Sequence, residues 1–176
     1  MNNINGVAVI NNEFDYSNIL ANVEYVSYLV NYMDSVYSKF LELIAQDEEK
    51  NKQFKDEYKD YMYKKVYSQN FEIYIRQSSY ANNITCKDAQ SFKMAVDSHQ
   101  LDRVEGLDIK LVMDFDRGNG RNLDRNENSF SIIFRPYNIR FIRKSNHNDS
   151  GMNQIESNIN EILSKFSVAN SIFCTK

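Results

Sequence analysis

The sequence predicts an α+β domain, with a long amphipathic N-terminal helix, an antiparallel sheet of about four strands, and a closing C-terminal helix. Three observations carry this. Ile19, Val23, Val26, Val30, Met33, Tyr37, Phe40 and Ile44 follow one another at steps of 4, 3, 4, 3, 4, 3 and 4, an unbroken heptad seam that a helix must bury. Further on the apolar period drops to two, in 71–77, 108–115 and 130–141, which is the signature of half-buried strands. Near the end Met152, Ile155, Ile159, Ile162 and Phe166 return to helical spacing.

The chain has 176 residues, enough for one domain with a sizeable core. Aromatic content comes from 12 Tyr and 11 Phe, while 5 Gly and 1 Pro argue against long disordered linkers. Residues 17–66 are expected as a long helix or helical arm and 71–176 as the sheet-containing part of a single domain over 1–176. Gly6–Ile10 is a short apolar run and Asn11–Phe14 reads as a turn. Asp15 or Ser17 then offers an N-cap for the helix. After Ile44 the seam meets Asp47 and Asn51 and resumes in phase at Phe54, Tyr58 and Tyr61. No Gly or Pro marks a break, so one helix from about Ser17 to Val66, roughly 75 Å long, is favoured over a hairpin.

In 71–77, Phe71, Ile73 and Ile75 share one face and Glu72, Tyr74 and Arg76 the other. Residues 85–104 carry both patterns. Thr85 with Asp88 resembles a capping box, and Phe92, Val96 and Leu101 fit a helix, which is the reading preferred. In 108–115, Ile109, Leu111, Met113 and Phe115 point inward, and Asp108, Lys110, Val112 and Asp114 outward. The segment RGNGRNLDRNEN reads as a polar basic loop. Phe130, Ile132 and Phe134 alternate inward, and after Pro136 the phase moves to Tyr137, Ile139 and Phe141. A turn over Arg135–Asn138 with Pro at its second position explains that flip, and so short a connection requires antiparallel strands. Ser150 or Asp149 caps the last helix, and Ile172–Cys174 reads as a short final strand.

The formal net charge of −3 argues against a generic polyanion binder. The distribution is uneven, with thirteen acidic against nine basic residues in 1–88 and seven basic against two acidic in 117–144. No signal-peptide pattern and no apolar run of spanning length is present. Cys86 and Cys174 form no metal or redox motif, which fits reduced thiols in the cytoplasm.

The chemistry-bearing patterns are sparse. Asp114–Gly120 has the look of a calcium loop, but its twelfth position is Arg125, where a bidentate acid is needed. Glu105, Asp108 and Lys110 have the acid-x-lysine form of metal-dependent nucleases, with Asp97 or Asp102 as a further acid. His99 and His147 lack zinc spacing, and neither a nucleophile elbow nor a phosphate-binding loop is present. No catalytic residue, metal or cofactor is therefore assigned. The first functional expectation is a non-catalytic cytoplasmic interaction or regulatory protein, binding an unidentified protein partner. It would form a homodimer, coiled-coil fashion, through Ile19, Val23, Val26, Val30, Met33, Tyr37, Phe40 and Ile44. The second is nucleic-acid binding by a basic patch of Arg117, Arg121, Arg125, Arg140, Arg143 and Lys144, with Tyr137 and Phe141 interleaved. The third is a metal-dependent nuclease. No membrane association is expected.

Overall fold

The computed structural model describes residues 10–17, 23–57, 65–78, 83–98, 104–119, 122–136, 138–146 and 150–166. These residues form an α+β fold, with three helices among them on one face of an antiparallel sheet. In chain order the elements are β1 (Ile10–Ser17), α1 (Val23–Glu57), β2 (Lys65–Gln77), β3 (Ile84–Cys86), α2 (Ala89–Asp97), β4 (Val104–Asn119), β5 (Asn122–Asn126), β6 (Asn128–Arg135), β7 (Asn138–Ser145) and α3 (Ser150–Ser164).

The sheet order is β1-β7-β6-β4-β2-β3, and β5 pairs with the far end of β4. Every pairing is antiparallel. The path therefore has six strands, not the four expected. One of the missed strands is β1. Asn11–Phe14, read as a turn from its asparagines, is extended and pairs with β7 over its whole length, Phe14 opposite Phe141 and Tyr16 opposite Ile139. Tertiary pairing overrides the weak strand propensity of Asn here. The polar loop after Phe115 is likewise a hairpin, with Asn119 paired to Asn122.

The first helix is one piece of 35 residues, about 52 Å long, but it is shorter than expected at both ends. Ser17 belongs to β1, and Lys65 and Val66 open β2. Within 85–104 the described residues belong to β3, to α2 with its caps, and to the start of β4. The capping box lies one motif later than Thr85. Asp88 is the N-cap, accepting from the Ser91 backbone N–H at 2.6 Å, and the Ser91 hydroxyl answers the Asp88 backbone N–H. The expected turn at Pro136 is present. Arg135 pairs with Asn138, so β6 and β7 form a tight hairpin and the inward phase changes from even to odd numbers.

The core lies between the sheet's inner face and the helices. Phe71, Ile73 and Ile75 of β2, Leu107, Ile109, Leu111 and Met113 of β4, Phe130, Ile132 and Phe134 of β6, and Ile139 and Phe141 of β7 are all at most 2% exposed. Burying each such side chain contributes about 1.5–3 kcal/mol. Ile159, Ile162, Leu163 and Phe166 close the core from the α3 side. Phe166 sits 5.7 Å from both Tyr25 and Phe134, ring centre to ring centre. Polar ties fix the helices to each other. The Ala89 N–H at the start of α2 donates to Asp34 of α1 at 3.0 Å, and Asn158 of α3 donates to the Tyr32 hydroxyl at 2.9 Å. Residues 6–9, Ile19, Tyr58, Tyr61, His99, Leu101, Asp102, Gly120, Arg121, Tyr137, His147, Asp149 and Ile172–Cys174, named in the sequence reading, lie outside the described residues.

Candidate interaction surface

Because the three helices cover one face of the sheet, the strand alternation sends every second side chain to a face that carries no helix among the described residues. The register places these side chains on a grid. One row reads Asp15, Arg140, Ile133, Asp108, Tyr74, Thr85 across β1, β7, β6, β4, β2 and β3. The next reads Glu13, Ile142, Ser131, Lys110, Glu72, and the third Asn11, Lys144, Ser129, Val112, Asn70. At the centre, along β6 and its neighbours, stand Ser129, Ser131, Ile133, Ile142 and Val112, all uncharged and all half-buried. The small serines make a trough between taller side chains. It runs into a depression of about 370 Å³ lined by Lys110, Val112, Asp114, Ser129, Lys144 and neighbouring residues.

Charges ring this centre, mostly as pairs. Asp108 accepts from Arg76 at 2.6 Å and from Arg135 at 2.6 Å. Arg135 reaches it by lying over Gly106, where a Cβ would come 2.8 Å from its Nη1, so a larger residue there would make the guanidinium shift. Arg76 also sits 5.8 Å above the Tyr74 ring, and Tyr74 accepts from Asn83 through its hydroxyl at 2.8 Å. Arg140 lies 3.1 Å from both Glu13 and Asp15. Glu72 is paired with Lys87, whose hydrogen bond holds its carboxyl below the usual value. Lys110 and Lys144 are exposed and make no ion pair with another described residue.

The residues singled out from sequence fall in different places. Val26, Val30 and Met33 are 0% exposed and Ile44 8%, with Leu29 beside them. Val23, Tyr37 and Phe40 are half-buried, and Tyr37 packs on Phe71 at 6.1 Å between ring centres. At Val26, Val30 and Met33 the seam lies in the core, against the chain's own sheet and helices. The basic segment is divided by alternation. Arg140 and Lys144 face outward, but Arg143 points inward, its side chain 2% exposed and paired with Glu156 of α3. Arg117 and Arg125 lie on the two strands of the β4–β5 hairpin, opposite Asp124 and Asp116 in the backbone register. Phe141, expected beside the arginines as a stacking ring, stacks in the core on Phe14 instead, at 5.6 Å. Arg143 therefore does not share a face with Arg140 and Lys144.

Asp108, the acid two residues before Lys110 in the nuclease-like pattern, is occupied by two arginines, and Lys110 stands outward one pleat away. Among the described residues no group of three or more His, Cys, Asp or Glu is placed to hold a metal ion. No helix among them is long and apolar enough to cross a membrane. Ile133 and Ile142 were not singled out from sequence. The signal was present, since both fall on the outward phase of strands whose inward phase is already apolar. No protein-family model, curated protein or solved structure matches the chain.

Proposed function

We propose that this is a non-catalytic interaction protein whose contact surface is the helix-free face of the sheet. The observation that carries the reading is the anatomy of that face. It has an uncharged centre at Ser129, Ser131, Ile133, Ile142 and Val112, inside a ring of charged residues. Specific interfaces have this arrangement, an uncharged centre that excludes water and a polar rim. Ile133 and Ile142 supply the apolar part of that centre, on the neighbouring strands β6 and β7. The ion pairs at Asp108 and Arg140 fix the rim in one geometry, which reduces the side-chain ordering that binding requires. A reducing, cytoplasmic setting belongs to the same reading and is supported by the free, buried thiol of Cys86.

The test compares three proteins, the wild type, an Ile133→Glu/Ile142→Glu variant, and a Leu43→Glu variant on the exposed side of α1, where Leu43 is 58% exposed. Retention of partners from native-host extract is measured for each. Loss in the double variant alone supports the sheet face, and equal retention by all three overturns it. The same proteins are titrated into labelled RNA and DNA at two salt concentrations. Tight binding that collapses with salt and disappears on Lys110→Ala/Lys144→Ala transfers this face to nucleic acid and overturns the protein-partner reading.

A further inference from the structure

We infer that the partner of the helix-free face is a second copy of this chain, packed sheet on sheet about a two-fold axis running along β6. The inference rests on the reading of that face as an interface, and names what covers it. Three features of the face carry it.

The first is charge. Level with residues 106–114 of β4, the outward positions hold five acids, Glu13, Asp15, Glu72, Asp108 and Asp114, and five bases, Arg76, Lys110, Arg135, Arg140 and Lys144. A face of zero net charge with interspersed signs does not repel its own copy, whereas a partner of strong single sign would find no complement on it.

The second is complementarity under the symmetry. A two-fold along β6 keeps each row and exchanges the β7 and β4 columns. Arg140 of one copy then faces Asp108 of the other, and does so twice. Ile142 faces the stem of Lys110, and Lys144 lays its stem on Val112, contacts in which the methylenes are buried and the ammonium stays in water. Ile133 meets its own counterpart on the axis, and Ser129 and Ser131 let the two sheets approach. Like charges meet at Arg135, which Asp108 already neutralises, and at Glu13 against Glu72, at the rim where water screens them.

The third is size. Under this axis β1, β7, β6, β4 and β2 each face a strand of the other copy, and five strands at about 4.8 Å spacing, with β4 from Gly106 to Asp114 at about 3.4 Å per residue, give a footprint of roughly 700 Å². That is about what each partner buries in a stable interface of ordinary size. Aligned packing of two twisted sheets is also a common arrangement.

Sedimentation equilibrium of the purified full chain over a micromolar concentration range tests this. The expected result is a dimer for the wild type and for Leu43→Glu. For Ile133→Glu/Ile142→Glu, dimerisation weakens roughly tenfold or more, with the circular dichroism spectrum unchanged. If that variant does not fold, Ser131→Lys puts a charge in the same trough and is read instead. A wild type that is monomeric throughout overturns the inference, as does a dimer that none of these face substitutions weakens. The two readings separate cleanly. A monomer whose partner retention still depends on Ile133 and Ile142 loses the self-pairing and keeps the face. A dimer indifferent to both residues, together with unchanged partner retention, loses both.

Discussion

The guanidinium of Arg143 on β7 is held by the carboxylate of Glu156 on α3 at 3.0 Å, and by Asn153 at 2.7 Å, inside the protein. Asn12 of β1 donates to the same carboxylate at 2.9 Å. This joins β1, β7 and α3 through one network, and removes from the surface an arginine that sequence grouped with Arg140 and Lys144. The Nε and Nη2 of Arg143 are buried without an acceptor. Glu156→Ala therefore leaves an unpaired buried charge and is expected to destabilise the fold by about 3–5 kcal/mol. Replacing both partners, as in Arg143→Met/Glu156→Met, is expected to cost much less, because the charge and its unsatisfied donors leave together. Urea denaturation of the two variants gives the comparison.

Core and outer face differ by one position along β4 and β6, and equal truncations on them should differ sharply. Ile109→Ala opens a cavity at a side chain that is 0% exposed and is expected to cost about 2–5 kcal/mol. Ile133→Ala, on the half-buried outer face, is expected to cost about 1 kcal/mol or less in the isolated chain. Similar losses at the two positions would mean that the outer face is covered within a single copy.

The N-cap of α2 predicts an acid-sensitive element. The backbone N–H of Ser91, its hydroxyl and the Gln90 N–H hold the Asp88 carboxyl below its ordinary 3.8, and Lys87 does the same to Glu72, ordinarily 4.5. A carboxylate lowered in the folded state contributes stability above its unfolded value, and that contribution is lost as pH falls through the folded one. Stability should therefore decline as pH drops below about 4.5. Asp88→Ala is expected to remove about 1 kcal/mol at neutral pH and to flatten the acid limb. The check is a thermal melting series from neutral to acid pH.

Burial also raises the pKa of Cys86, against a smaller opposing hydrogen bond from Ser91. A thiol so placed stays protonated near neutrality and reacts slowly. Labelling by a disulfide exchange reagent is expected to leave Cys86 unmodified in the native protein and to modify it in denaturant. Peptide mapping reads that site alone.

Much of the fold was legible because periodicity is set by burial. The inward sets of β2, β4, β6 and β7 and the flip at Pro136 follow directly from alternation. What escaped depended on pairing partners far away in sequence. Asn11, Asn12 and Glu13 carry no strand signal of their own, and become a strand because β7 offers a free edge. The heptad seam was visible, but the surface it packs on was not. A heptad stripe serves a partner helix and a sheet equally well, and only the positions of β2 and β4 show which surface covers it. Arg143 left the basic segment's outer face for a related reason. Arg140 and Arg143 are three apart, so strand parity sends them to opposite faces, and grouping them by composition ignored the parity already read in Ile139 and Phe141.

The claim at the centre of this account is that contacts are made through the outer face of β6 and β7 and not through the α1 seam. The most direct test is an isoleucine- and valine-methyl NMR dilution series of the wild-type chain. The account predicts that Ile133, Ile142 and Val112 shift with protein concentration while Val26, Val30 and Ile109 stay fixed. Fixed outer-face methyls, or concentration-dependent shifts confined to Val26 and Val30, would contradict it.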